Sequence, residues 1–423
     1  IIAFKFPPSN RPVVTLDEAL RKSVVQQPNL RLAEAQVEAM EGRATQVKSA
    51  YLPQVTGTLT YQRTTGNFVP RPGATVNTAN VPPATNALYN SFTAQLFGTQ
   101  LLYDFGQTSN RIDAANANVE TQKASVNTVR NQTKSNVYYS YFQAVAGRAM
   151  VIVAEESLAN QERHLNQIDA IVRVGIRPEI DRTQAKADVA TARLSLISAR
   201  NNYESAKALL NQAMGGVVNT DFDVEANELG PVSGEHQSPE LLVTTAMAHR
   251  PEVQALEKQR LTQQATLRAL RGAYGPTINA TAAVSEGGIQ LDNMRYNWYV
   301  GVNLTWPILQ GGLTHGQIHE AVANLDATAA QIKATELQVR TQIVQAQLAL
   351  VAAKESITQA EDAVQNLFQR LKLAEGRYTS GIGNIIELTD AQVAYFAAQG
   401  QLIYAHFNQS LARAQLLLAL GKT

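Results

Sequence analysis

The chain has 423 residues, with 36 Lys and Arg against 35 Asp and Glu, so it carries no global field to gather nucleic acid or an acidic surface. Cysteine is absent, which excludes disulfides, thiolate metal sites and cysteine nucleophiles and is compatible with an oxidising compartment. No uninterrupted apolar run reaches about 18 residues, so no transmembrane helix is expected.

The first residues, IIAFKFPPSN, have no initiator Met and neither the charged nor the apolar region of a leader, and read as a mature or trimmed start. A helical block opens at Thr15, with Glu18 three residues on as a capping box, breaks at Pro28 and ends near Tyr51 in a Tyr-x-Pro step. Period two follows. Val55, Gly57, Leu59 and Tyr61 alternate with Thr56, Thr58, Thr60 and Gln62, the pattern of a strand with a different solvent on each face. The Pro/Gly/Asn/Thr-rich run TTGNFVPRPGATVNTANVPPATN reads as a long loop, and a returning strand runs from about 91 to 103. From about Gln107 to Arg173 there are no prolines and one glycine, Gly147, so a single helix there extends roughly 100 Å at 1.5 Å per residue. It turns at Val174-Gly175-Ile176-Arg177-Pro178, where glycine supplies the positive φ that ends a helix, and a return helix runs to Gly215.

Residues 217–237, acidic and without a strong period, link this block to a second one with the same order. Its helical part opens at Ser238, breaks at Pro251 and ends near Tyr274. Strands follow at about 276–285 and 298–306, then a helix from about Leu313 to Tyr378, a turn at Ser380-Gly381-Ile382-Gly383-Asn384, and a return helix to Gly421. In the last strand Trp298, Val300, Val302, Leu304 and Trp306 share a face, and eight steps of about 3.3 Å put the two tryptophans roughly 26 Å apart, the height of an outer-membrane barrel's apolar band between its aromatic girdles. An ordinary half-buried hairpin with aromatic ends has the same alternation. In the second long helix Leu325, Ile332, Val339 and Ala346, with Ala329, Ile343 and Leu350 interleaved, form an alanine-rich coiled-coil seam.

The two blocks are copies. Residues 104–216 align on 310–422 without a gap, placing Gly106 on Gly312, Gly175 on Gly381 and Gly215 on Gly421. Pro28, Tyr51 and Pro53 likewise fall on Pro251, Tyr274 and Pro276. The domain reading is thus a first repeat at 15–216 (strands about 53–63 and 91–103, hairpin 107–215), a linker, and a second repeat at 238–422 (hairpin 313–421). Four strands cannot close a membrane barrel, which needs at least about eight, so other chains must cover the edges. Three copies give a 12-stranded β-barrel continued by an α-helical barrel, and cyclic symmetry closes the ring. The fold class expected is mainly α with a small β part, a duplicated helix-strand-strand-long helical hairpin.

This order, together with the LYDFG and PILQGG strand-to-helix junctions and the segment VGIRPEIDRTQAKADVATARLSLISARNNYESAKALL, resembles the TolC family of outer-membrane channel proteins over essentially all of residues 15–423. The resemblance implies an outer-membrane homotrimer in contact with lipid, a passive exit duct of a tripartite efflux pump or type I secretion system. It would be opened by a periplasmic adaptor and an inner-membrane transporter. The resemblance also implies that Val174, Gly175, Ile176, Ser380, Gly381 and Ile382 form the periplasmic tip gripped by the adaptor. Asp181, Glu387 and Asp390 then match acids at the constricted entrance, where rings of carboxylate favour cations. Asp181 and Glu387 equally suit the first turns of their helices as dipole-stabilising acids. Tyr378 matches a tyrosine that holds the tip shut against the residue at Asp181, while the accompanying arginine is replaced by Gly383, leaving Arg177 and Arg173 as candidate cationic partners.

Other signals are weaker. His315 and His319 are spaced to clamp a metal on a helix face but have no evident third ligand. QGGLTHG lacks the Gly-Lys-Ser/Thr end of a phosphate loop. No catalytic constellation is evident, so neither an enzyme nor a cofactor is expected, and a lipid-bearing cysteine is not present in these residues. The competing reading is a soluble coiled-coil scaffold whose strand hairpins cap the rods.

Overall fold

In a computed structural model of the chain, which describes residues 6–8, 10–65, 88–217, 220–226 and 228–421, the duplication persists down to the lengths of the elements. Helix α1 (Leu16–Gln26) has its counterpart in α5 (Pro239–His249), both of 11 residues. The following helices are α2 (Pro28–Lys48) and α6 (Pro251–Gly272). Helices α3 (Gln107–Arg173) and α7 (Leu313–Thr379) each have 67 residues, and the return helices α4 (Glu179–Ala213) and α8 (Ile385–Ala419) each have 35. Thr15 caps α1 as the capping box requires, its hydroxyl accepting from the Glu18 amide at 3.2 Å. The strand-to-helix junctions are also homologous: Asp104 accepts from the Thr108 amide at 2.6 Å, and the matching pair Gln310 and Thr314 is joined by their side chains.

Two compact units cut across the two repeats. One contains Gln36–Lys123 and Ala255–Ile332, and its centre is a four-stranded antiparallel sheet of β2 (Gln54–Thr65), β3 (Leu88–Tyr103), β5 (Thr277–Gly288) and β6 (Arg295–Thr305), ordered β2-β3-β5-β6. The second and fourth strands begin at Leu88 and Arg295, and the first and third end at Thr65 and Gly288, all a few residues beyond the expected limits on the side away from the helices. Apolar alternation fades at Glu286-Gly287-Gly288, but backbone pairing does not depend on it, and Gly287 still pairs with Arg295. Trp306 lies one residue past its strand. Most of the long loop read between the first two strands lies outside the described residues.

The other unit, Ile1–Ala35, Ala124–Gln254 and Lys333–Thr423, holds the helical core. One apolar cluster joins Val137, Tyr141, Phe142, Tyr203 and Leu210 to a parallel pair of two-residue strands, β1 (Val13–Val14) and β4 (Asp223–Val224). The acidic linker, read as aperiodic, thus contributes a strand too short to show a period. It is pinned by the helices beneath it: Arg148 donates to the Val224 carbonyl at 2.6 Å, Tyr203 to Asp223 at 2.8 Å, and the fully buried Lys207 to the Thr220 carbonyl at 2.8 Å. A second cluster packs Val339, Ile343, Ala346 and Leu350 of α7 against Leu242, Ala246 and Leu416, so the coiled-coil series is buried here. Higher on α7, Ala321 and Thr328 are buried and Ala329 is exposed, a one-residue drift from the sequence pattern that follows from the mismatch between 3.6 residues per turn and a heptad. Glu235 ties the linker to both helices, accepting from Lys354 at 2.7 Å and Arg413 at 3.1 Å.

Candidate functional site

The tip lies in the helical unit and is built on two superposable helix ends. Gly175 (φ +81°) and Gly381 (φ +79°) occupy the left-handed position after α3 and α7. Each turn closes with the same pair of bonds, Gly175 N–H to Val172 O at 2.9 Å with Ile176 N–H to Ile171 O at 3.2 Å, and Gly381 N–H to Tyr378 O at 3.1 Å with Ile382 N–H to Arg377 O at 3.0 Å. These bonds satisfy carbonyls that the helix ends leave open. They also leave Val174, Ile176 and Ile382 exposed, the isoleucines at 73% and 76%. Ile180 and Ile386, one helical turn further on, are exposed as well and occupy homologous positions.

Behind the turns, Ile168, Leu371, Ala374, Leu388 and Ala391 form a small core around Tyr378. The Tyr378 hydroxyl donates to Asp181 Oδ2 at 3.3 Å, and both residues are buried. Burial and the neighbouring Asp181 charge push the Tyr378 pKa up to about 12, so the phenol stays protonated as a donor. The Arg177 guanidinium lies 4.7 Å from the centre of the Tyr378 ring and donates to Tyr378 O at 3.3 Å and Gly383 O at 3.0 Å. Of the two arginines weighed as partners, Arg177 therefore supplies the cation, whereas Arg173 pairs with Asp169 on its own helix at 2.5 Å. Gly383 itself sits where a Cβ would lie 3.1 Å from Arg377 and the Tyr378 amide, so a side chain there meets the turn. His164 packs its ring against Tyr378 with centroids 5.7 Å apart, and burial holds its imidazole below the usual range. This histidine carries no signal in the sequence, because only tertiary packing brings α3 beside the end of α7.

The remaining acids are placed differently. Glu387 pairs with Arg377 at 3.3 Å, half exposed, and its amide is capped by Asn384 at 2.8 Å. Asp390 is exposed. At the tip a neutral phenol, a carboxyl group and a guanidinium thus meet between the ends of the two hairpins. His315 and His319 are exposed at the start of α7, and among the described residues no group of three or more His, Asp or Glu side chains is placed to hold a metal ion.

In the sheet unit, register sorts the side chains into two faces. Cross-strand rows Gly57-Leu96-Val284-Trp298 and Val55-Gly98-Ala282-Val300 lie on one face, and Thr58-Gln95-Ser285-Asn297 and Thr277-Thr305 on the other. The apolar face is open to its surroundings: Leu59 is 88% and Trp298 67% exposed. Around Trp298 the same face carries Tyr61, Phe92 and Tyr296, and at the helix end Tyr103 and Phe105 pack edge to face at 4.9 Å while the Trp306 indole donates to Tyr274 O at 3.1 Å. Aromatic side chains thus gather at both ends of the sheet beside the two tryptophans. The added members were hidden in sequence because they come from different strands. Among the described residues no helix is long and apolar enough to cross a membrane, and β2 and β6 each leave one edge unpaired.

Comparison with known proteins agrees with this geometry. The chain aligns at 25% identity over 68% of its length with the toluene efflux pump outer membrane protein TtgF of Pseudomonas putida, and at 28% over 74% with the outer membrane efflux protein BepC of Brucella suis. These alignments span 60% and 64% of those proteins' own lengths. Its fold is that of solved outer-membrane channels. The Campylobacter jejuni CmeC channel superposes with a TM-score of 0.84 at 17% identity, over 96% of this chain and 85% of that one. VceC of Vibrio cholerae gives 0.81 at 18%, over 96% of each. Residues 19–216 and 242–422 match the family model described as outer membrane efflux protein. By that match, this two-faced sheet and duplicated helical hairpin belong to a member of the outer membrane efflux protein family, located in the outer membrane.

Proposed function

We propose that three copies of this chain close into a 12-stranded barrel continued by a helical tube, forming a passive exit duct for an efflux pump whose energy comes from an inner-membrane transporter. The observation that carries the reading is the sheet: four strands, one apolar and one polar face, and two unpaired edges. An open edge in a membrane leaves backbone groups without partners at several kcal/mol each, and closure by identical neighbours removes every such edge. The apolar face then meets lipid and the polar face water. The soluble scaffold has no comparable use for so large an exposed apolar sheet face.

The tip supplies the gate. Tyr378, Asp181 and Arg177 hold the two hairpins of one chain together, and the exposed Val174, Ile176 and Ile382, with Gly175, Ser380 and Gly381 shaping the turns, offer the surface an adaptor would grip. Opening then requires breaking a few polar contacts at the turns while the core clusters stay packed. Glu387 and Asp390 stand near the same helix starts, where threefold repetition would ring the entrance with negative charge and favour cations. Purification from separated membranes, particle mass and single-channel recording test the reading. A trimer from the outer membrane with small, cation-selective conductance that rises on Tyr378→Phe or Asp181→Ala is expected. A soluble monomer without conductance would overturn it.

A further inference from the structure

The polar face of the sheet is nearly free of charge. Its rows are Thr, Ser, Asn and Gln with a few apolar residues such as Phe97 and Tyr299, and among its described residues the charged side chain is Arg295. Arg295 opens β6, pairs with Gly287 and continues the row through Thr93 to Thr60, at the end of the sheet away from the helices. It is exposed, and among the described residues no ion pair includes it. Two acids lie near it in sequence and neither is paired with it among the described residues: Glu286 points to the opposite, apolar face and Asp292 belongs to the β5–β6 turn. The sequence joining the other two strands, residues 66–87, contains Arg71 and no acid.

We propose that Arg295 forms a threefold cationic ring inside the distal mouth of the duct and that this ring is a binding site for oligoanions of the phosphate class. The inference rests on the trimeric barrel reading. Twelve strands about 4.8 Å apart and tilted by about 40° close at a radius of roughly 12 Å. An extended arginine reaches about 6–7 Å inward from its Cα, so three guanidinium groups stand roughly 9 Å apart around the axis. That span matches a short phosphate chain, and guanidinium pairs with phosphate oxygens in a bidentate fork. It also falls within the Debye length of about 10 Å at 0.1 M salt but far outside the roughly 3 Å at 1 M, so the three charges act together only at low ionic strength.

Titration of the detergent-solubilised full chain with inorganic triphosphate, alongside particle mass, tests this. The expected result in 0.1 M KCl is one triphosphate per three chains, weakened at least about tenfold by Arg295→Gln and by 1 M KCl, and kept only in part by Arg295→Lys, which retains the charge but not the fork. A trimer that binds no triphosphate, or binds it equally well with Arg295→Gln, overturns the ring. A particle that is not a trimer overturns the duct reading itself, which the mass reports independently of any titration.

Discussion

Both tips end a 67-residue helix on a left-handed glycine with the same two hydrogen bonds, yet the residues that follow have diverged into complementary parts. The first tip continues Ile176-Arg177-Pro178 and sends a guanidinium across to the second. The second continues Ile382-Gly383-Asn384 and receives it, with two carbonyls and the Tyr378 ring. Their return helices also start differently. Helix α8 is capped by the Asn384 side chain, whereas α4 begins after Pro178 with no side-chain cap. Duplication thus provides two equal ends, and substitution in the few residues after each glycine turns them into a complementary pair.

The largest effect expected is from pH. Because the Tyr378 pKa is raised, by burial first and by Asp181 second, its contribution to the stability of the tip is complete below its ordinary value near 10 and is lost as pH rises through about 12. A tyrosinate beside Asp181 would replace a hydrogen bond by repulsion. Amide exchange at residues 377–388 is expected to accelerate across that interval, and Tyr378→Phe removes the step. An unchanged step in the variant would place the titrating group elsewhere.

Next is the contrast between the two arginines. Arg177→Ala leaves the Gly383 carbonyl without a donor, takes from Tyr378 O the second of its two donors and removes a cation over an aromatic face, about 2 kcal/mol in all. Arg377→Ala breaks a half-exposed pair worth about 0–1 kcal/mol. Exchange of the Ile382 and Gly383 amides resolves the two, and comparable effects would mean that the crossing guanidinium does not latch the tips. Gly175→Ala and Gly381→Ala should each cost about 1–2 kcal/mol and cost the same, since both glycines have positive φ and open space around the missing Cβ. A difference beyond about 1 kcal/mol between these thermal or denaturant shifts would show that the turns are unequal in backbone as well as side chains. Smallest is the cap: Asn384→Ala costs about 1 kcal/mol and Pro178→Ala much less, read from the exchange of the first α8 and α4 amides.

Much of the fold was legible because the chain repeats itself. A gapless shift between residues 104–216 and 310–422 forces equal helices, and glycine at 175 and 381 marks their ends before any contact is known. Strand faces were legible too, since period two survives in Val55-Leu59-Tyr61 and Trp298-Val300-Val302. The site was only partly so. Tyr378 with Asp181 followed from resemblance, whereas the Arg177 contact, the His164 ring and the aromatic side chains gathered beside the tryptophans depend on residues far apart in sequence. The strand pair between Val13–Val14 and Asp223–Val224 was invisible because two residues carry no period.

By itself the sequence determined the periodicities, the turns and their duplication, since these follow from backbone preferences and local spacing of apolar side chains. Which cation meets Tyr378, and which face of each strand aligns with its neighbours, was decided only by tertiary structure. Such contacts join positions some 200 residues apart, and the local pattern around Arg177 and Arg173 is too alike to choose between them. Only packing brought one guanidinium over the ring and left the other on its own helix.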